Sequence, residues 1–182
     1  MKLSQVIRSR HVLVAVIGAV LSACADQNPT TPVRQATMTP QPAVVSANEA
    51  TAAATLRMVT ARYQDLQTAL DDQFVLLHEC ESRPGEGPVG TVYLNVARLL
   101  DGVIDPKLPD ALIYAPSSNG SLKLAGAEFA IPYALAPQRP SFLGHAFQDE
   151  PEFGVYALHA WVWLENPNGM FEETNPRITC GA

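Results

Sequence analysis

The stretch Ala111–Ile131, ALIYAPSSNGSLKLAGAEFAI, contains the clearest β-hairpin signal in this chain. Two largely apolar runs, 111–115 and 121–131, flank the connection PSSNG, which ends in Asn119 and Gly120. Asn and Gly readily adopt the positive φ angles that tight reversals between strands require. The stretch therefore predicts an antiparallel β-hairpin, and the rest of the domain can be placed around it.

Short apolar runs separated by Pro and Gly predict further strands before and after the hairpin. The longest of these strand candidates is Gly154–Glu165. The tail 166–182 contains Asn-Pro twice and is predicted to be irregular. The other predicted strands are Phe74–Cys80 and Thr91–Ala97, and the predicted connections are 83–88, 101–106 and 137–152.

A long helix is predicted before the strands, from the N-cap Asn48 to about Asp72. Its apolar residues recur at steps of three and four, so they form one stripe that must be buried. The remaining strands offer a cover for this stripe, although a coiled-coil partner would produce the same pattern. The stripe comprises Leu56, Val59, Tyr63, Leu66 and Leu70.

These elements predict an α+β domain in which a long N-terminal helix packs on a curved antiparallel sheet of four to five strands. Cystatin-like and nuclear-transport-factor-like cones have a similar order of elements. Such a likeness of fold does not determine function.

The first 24 residues have the pattern of an export signal. Three cationic residues precede the apolar run Val12–Leu21, which is too short to span a bilayer. The run ends in Leu-Ser-Ala-Cys, which resembles the bacterial lipobox and predicts cleavage before Cys24 and acylation of its thiol. A secretory signal with an incidental cysteine and an uncleaved anchor are the alternatives.

The lipobox divides the chain into a signal peptide (1–23), a lipid anchor with a disordered Pro/Thr-rich tether (24–47) and a single domain (48–182). Membrane lipid is thus a predicted partner, through the acylated Cys24. The predicted location is the bacterial cell envelope. Because Ala25 and not Asp follows Cys24, the outer membrane is favoured over the inner membrane if the cell has two.

Charge argues against nucleic acid as a partner. The signal holds three of the 12 basic residues and none of the 18 acidic ones, so the remaining chain has a formal charge of −9. A strongly acidic surface repels both nucleic acid and anionic lipid. No motif indicates a cofactor.

Once Cys24 is assigned to lipid, Cys80 and Cys180 remain as an even pair. An exported protein folds where disulfides form, so we predict that these two cysteines are joined. Two free thiols in a cytosolic protein are the alternative.

The C-terminal third reads YALHAWVW at 156–163, NPNGMF at 166–171 and NPRITC at 175–180. It resembles the signature LHxWVWxxNPxGxFxxxNPRxxC of an uncharacterised family of small exported bacterial proteins, and the likeness extends over about residues 55–180. The resemblance implies export and names no activity. Val89 and Val92 stand where that family tends to carry Met and His, so the resemblance implies no metal or haem site there.

The predicted strand Gly154–Glu165 places His159, Trp161 and Trp163 on one face, because alternate residues of a strand share a face. This face either belongs to the core or lines a ligand cavity. We predict these three residues as ligand-binding. A small apolar or carbohydrate ligand, or an envelope protein, would suit an aromatic surface beside the loop 140–152.

Glu128 shares a strand face with core leucines, so its carboxylate needs a partner, for which His159 and Arg177 are candidates. A Glu128–His159 pair would be either a structural ion pair or the acid–base couple of a hydrolase, with His145 as a further catalytic candidate. The acidic residues 149–152 are most simply a solvated loop.

No nucleophile elbow, HExxH, phosphate-binding loop or EF-hand is present in the sequence. His78 and Cys80 could converge on a metal, but no paired metal-ligand spacing exists, so we predict no metal site. The sequence favours a non-catalytic ligand- or protein-binding module. A His/Glu hydrolase and a purely structural envelope protein are the alternatives.

Overall fold

The computed structural model describes residues 47–181. The predicted signal peptide, Cys24 and the tether up to residue 46 lie outside the described residues, as does Ala182. In chain order the elements are α1 (Ala47–Thr60), a 3₁₀ turn (Ala61–Gln64), α2 (Leu66–Asp71), β1 (Phe74–Arg83), β2 (Gly87–Asn95), α3 (Val96–Leu99), β3 (Ala111–Pro116), β4 (Leu122–Pro132), β5 (Ser141–Phe142), β6 (His145–Ala146), β7 (Gln148–Glu150) and β8 (Val155–Ala160). The predicted α+β class is confirmed.

Six strands form one curled antiparallel sheet, a half-barrel, in the order β1-β2-β3-β4-β8-β7. The predicted hairpin is β3–β4, with Ala111 opposite Glu128, and it lies at the centre of the sheet. The prediction of four to five strands was too low. Residues 137–152, predicted as a loop, contain the edge strand β7 and the small hairpin β5–β6.

The long helix was a wrong prediction, because the helical segment ends after 18 residues and a short second helix follows. Asp65 adopts an extended conformation, and its side chain accepts a hydrogen bond from the backbone N–H of Gln67, which makes it the N-cap of α2. A capping carboxylate thus interrupts a periodic apolar pattern. Leu56 and Tyr63 of the predicted stripe are buried, whereas Leu70 is exposed.

The two faces of the sheet are covered differently. On the helix face, Phe129 and Leu158 pack against Leu56 of α1. On the opposite face, which we call the cavity face, Ala130 and Val155 pack with Leu99 of α3. The C-terminal tail covers another part of the cavity face, where its Ile178 joins Val92, Ile113 and Trp161.

The strand predicted over Gly154–Glu165 is shorter than expected, since β8 ends at Ala160. Beyond that point the backbone N–H of Trp161 donates to the carbonyl of Met170, and the N–H of Val162 donates to the carbonyl of Ala160. These bonds replace strand pairing with a turn. The paired strand therefore ends before Trp161, although the Trp161 side chain still lies on the cavity face with His159.

Cys80 of β1 and Cys180 of the tail form the predicted disulfide, with Cα atoms 5.3 Å apart and 100 residues between them in sequence. The bond holds the irregular tail against the sheet. A structural disulfide indicates an oxidising compartment. Among the described residues, no helix is long and apolar enough to cross a membrane.

Candidate functional site

Glu128 of β4 and His159 of β8 are directly opposite each other in the sheet. Their side chains lie on the cavity face, where His159 Nε2 is 3.5 Å from Glu128 Oε2. The residues are only 7% and 5% exposed. Of the two partners considered for Glu128, the structure thus places His159 beside it, while Arg177 lies 3.0 Å from Glu165 on the surface.

Both ring nitrogens of His159 face an acceptor. Its Nδ1–H donates to the backbone carbonyl of Glu173, and Nε2 faces Glu128. Burial alone would lower the pKa of His159, but the Glu128 carboxylate and the Glu173 carbonyl together raise it above its ordinary value. Both ring nitrogens are thus held by protein groups, and the Glu128 carboxylate favours the protonated form of His159.

Arg83 joins the two edges of the curled sheet, because it lies at the end of β1 and contacts Glu150 of β7. Its Nη1 and Nη2 are each 3.1 Å from one Glu150 oxygen. Nη1 also donates to Glu173, and Nε is 3.4 Å from Glu81. Burial lowers the pKa of Arg83, but the paired carboxylates outweigh this effect and raise it.

Glu173 is held in the same cluster, where burial and the neighbouring Glu150 carboxylate raise its pKa. Arg83 and Glu150 are the functional residues that sequence reasoning missed. Arg83 was predicted to lie in a loop and Glu150 to be solvated, yet Glu150 is buried. No local signal could reveal the pair, since the curl of the sheet brings β1 and β7 together.

A cavity of about 130 Å³ opens between these charged groups and an apolar wall. Its polar lining is provided by Glu128, His159, Arg83 and Glu150. The other lining residues are apolar apart from His78, and they are Leu77, Leu94, Leu99, Ala130, Phe153 and Val155. A mostly apolar cavity with a few convergent polar groups is typical of small-molecule sites.

Trp161 and Trp163 lie outside this cavity. The indole N–H of Trp161 donates to the carbonyl of Glu172, and that of Trp163 donates to Thr60 Oγ1 at 2.9 Å. Both indoles line a separate surface groove of about 470 Å³, which we call the tryptophan groove. His159 still touches Trp161, with ring centroids 5.7 Å apart.

His145 is held apart from the Glu128–His159 pair. Its Nε2 lies 2.6 Å from Glu49 Oε1 on α1, and its ring packs on Phe171 at a centroid distance of 4.5 Å. The three catalytic candidates therefore do not form one constellation.

Within residues 47–181, no group of three or more His, Cys, Asp or Glu side chains is arranged to hold a metal ion. Comparisons with protein-family models, with curated proteins and with solved structures found no match to this chain.

Proposed function

We propose that this domain is a non-catalytic binding module that takes a small ligand with an apolar body into the cavity of the curled sheet. The observation that carries the proposal is the combination of an apolar wall with the buried Glu128–His159 pair in one cavity. A cavity of about 150 Å³ can hold benzene. The apolar part of the ligand is therefore about the size of one ring.

The hydrolase alternative is less well supported by the same geometry. His159 is not placed to act as the general base, because a base needs a free nitrogen to take a proton from substrate and both nitrogens of His159 already face acceptors. The lining residues of the cavity, within the described part of the chain, include no hydroxyl or thiol nucleophile. A purely structural protein would not require the cavity at all.

We also propose that the domain works at the membrane surface, attached through acylated Cys24 and the tether that follows it. The Leu-Ser-Ala-Cys motif supports lipidation, and the Cys80–Cys180 disulfide supports export. Mass spectrometry of the protein purified from bacterial membranes tests this placement. A diacylglycerol adduct on an N-terminal Cys24 is expected, and an unmodified Cys24 would contradict it.

Titration of the full-length ¹⁵N-labelled protein with benzyl alcohol, followed by NMR, tests the proposed cavity. We expect saturable shifts centred on Ala130 and Val155, which line it. Ala130→Leu places extra methyl groups inside the cavity and is expected to abolish this binding. Ala50→Leu is the matched control, because Ala50 is exposed and lines the tryptophan groove instead.

The two variants separate the two locations. Loss of binding in Ala130→Leu alone supports the cavity. Loss of binding in Ala50→Leu alone would show that the ligand binds in the tryptophan groove, with Trp161 and Trp163 as the binding residues. No saturable binding to the unmodified protein would contradict the proposed function.

A further inference from the structure

We propose that the ligand carries a protonated amine and that Glu128 is the group that recognises it. This inference rests on the proposed function, since it requires a ligand in the cavity. The polar groups of the cavity differ in how far their hydrogen-bonding capacity is used by protein partners, and the unused capacity indicates which ligand group can bind.

The hydrogen-bond donors of the cavity are largely occupied. Arg83 directs Nη1 and Nη2 to Glu150, Nη1 also to Glu173, and Nε to Glu81. His159 directs Nδ1–H to a backbone carbonyl and Nε2 to Glu128. An anionic ligand would have to displace one of these internal carboxylates, so the site is poorly suited to bind one.

The acceptor capacity of the cavity is not used up. A carboxylate can accept about four hydrogen bonds. In the described part of the chain, the side chain of Glu128 has a single partner, His159, at 3.5 Å. Glu128 is 7% exposed and lines the cavity, so a ligand that donates hydrogen bonds to it would satisfy a buried and under-coordinated carboxylate.

Charge around the cavity favours a cation over a neutral donor. The carboxylates of Glu128 and Glu150 line the cavity, and those of Glu81 and Glu173 contact Arg83 behind it. Two basic side chains, Arg83 and His159, contact these four carboxylates. A ligand ammonium adds positive charge where it is deficient, and hydrogen bonds between charged groups are about twice as strong as neutral ones.

Three one-ring probes of similar size and different charge test this preference: benzylamine, benzyl alcohol and benzoate. The NMR titration of the full-length protein is repeated with each at neutral pH, where benzylamine is protonated. We expect benzylamine to bind about tenfold more tightly than benzyl alcohol, because it gains a charge-assisted hydrogen bond. Benzoate is expected to bind more weakly than benzyl alcohol.

Glu128→Gln assigns the preference to one residue, since it keeps the shape of the side chain and removes its charge. The advantage of benzylamine over benzyl alcohol is expected to fall below about threefold. Asp71→Asn is the matched control, because it removes the same charge from an exposed residue of α2 that does not line the cavity. It should retain the tenfold preference.

Each outcome decides the inference. If benzyl alcohol binds the unmodified protein and benzylamine binds no better, the inference fails while the proposed function stands. If none of the probes binds, both fail. A preference that persists in Glu128→Gln would also overturn the assignment to Glu128. If Glu128→Gln does not fold, the comparison of the three probes on the unmodified protein still decides whether the site selects a cation.

Discussion

The cavity and the tryptophan groove both take lining residues from the segment 155–163, yet their polar groups are satisfied to different extents. In the groove, both indole N–H groups are satisfied by the protein itself, through Glu172 and Thr60. In the cavity, the Glu128 carboxylate is buried with one distant partner, His159. Fully satisfied polar groups stabilise a fold, whereas under-satisfied buried groups are rare and call for an explanation. The aromatic residues thus mainly anchor the tail, and for Glu128 the proposed ligand supplies the explanation.

Breaking the Cys80–Cys180 disulfide is expected to have the largest effect, because the tail supplies carbonyls to both regions. Glu173 accepts from His159, and Glu172 accepts from Trp161. Closing a loop of 100 residues stabilises the fold by up to about 4.7 kcal/mol. In urea denaturation, the double variant Cys80→Ser/Cys180→Ser should have a lower free energy of unfolding than the unmodified protein, by most of this amount. Reductant should then destabilise the unmodified protein but leave the variant unchanged, and insensitivity of both would contradict the prediction.

Breaking the buried pair is expected to rank second. His159→Ala leaves the Glu128 carboxylate buried without a cation, which should lower the free energy of unfolding by about 3–5 kcal/mol. The pKa of His159 is higher in the folded state than in the unfolded state. Its contribution to the free energy of unfolding is therefore complete at pH values below the unfolded-state pKa and is lost as the pH rises through the folded-state pKa. The loss caused by His159→Ala should therefore be larger at pH 6 than at pH 9.

His78→Ala is the control for this variant, since His78 lines the same cavity and stacks on Phe153 at 6.2 Å without a buried ion pair. His78→Ala should lower the free energy of unfolding by less than about 1 kcal/mol. Equal costs for the two histidine variants would mean that the Glu128–His159 pair adds no special stability.

Asp110 is another buried carboxylate, and its backbone N–H donates to the carbonyl of Glu128. Its Oδ2 accepts from the N–H of Ala130, and its Oδ1 has no hydrogen-bond partner among the described residues. Burial raises the pKa of Asp110 to about 7, and the nearby Glu128 and Asp101 add to this effect, while the Ala130 N–H and Arg98 oppose it.

A raised carboxyl pKa destabilises the folded state as pH rises from the ordinary value of 3.8 through about 7. Asp110→Asn should therefore raise the free energy of unfolding at pH 8 by about 2–4 kcal/mol, since one pKa unit corresponds to about 1.4 kcal/mol. The gain should shrink on acidification towards pH 4. Denaturation curves at both pH values measure it, and a gain independent of pH would contradict the raised pKa.

The smallest effect is expected in the tryptophan groove. Trp163→Phe keeps an aromatic ring and removes the hydrogen bond to Thr60, which should cost about 1 kcal/mol in thermal denaturation. Benzyl alcohol binding should not change. Loss of that binding in Trp163→Phe would show that the groove, and not the cavity, holds the ligand.

Sequence reasoning reached the parts of this fold that local chemistry determines. The hairpin Ala111–Ile131 follows from its Asn-Gly turn, and the disulfide follows from cysteine counting in a chain predicted to be exported. Strand periodicity placed His159 on an inward-facing position. The prediction that Glu128 shares a face with the core leucines of its strand was wrong, because a β-bulge in β4 puts Leu124 on the helix face with Tyr114 and leaves Glu128 on the cavity face. The register of Glu128 and His159, one directly opposite the other, depends on how β4 and β8 pair and could not be read from either segment alone.

The remaining features depend on tertiary structure or on competition between local signals. Arg83 and Glu150 meet because the sheet curls. Trp161 leaves the strand because the tail offers the Met170 carbonyl to its backbone N–H. The helix break had a local signal, since Asp65 can cap a new helix. The apolar stripe instead favoured one continuous helix through this position.

A crystal structure of the protein soaked with benzylamine tests the role of Glu128 in the cavity most directly. We predict that the ring lies between Leu99, Phe153 and Val155 and that the ammonium nitrogen lies about 3 Å from a Glu128 oxygen. Benzylamine in the tryptophan groove, or in the cavity with its nitrogen turned away from Glu128, would contradict this role.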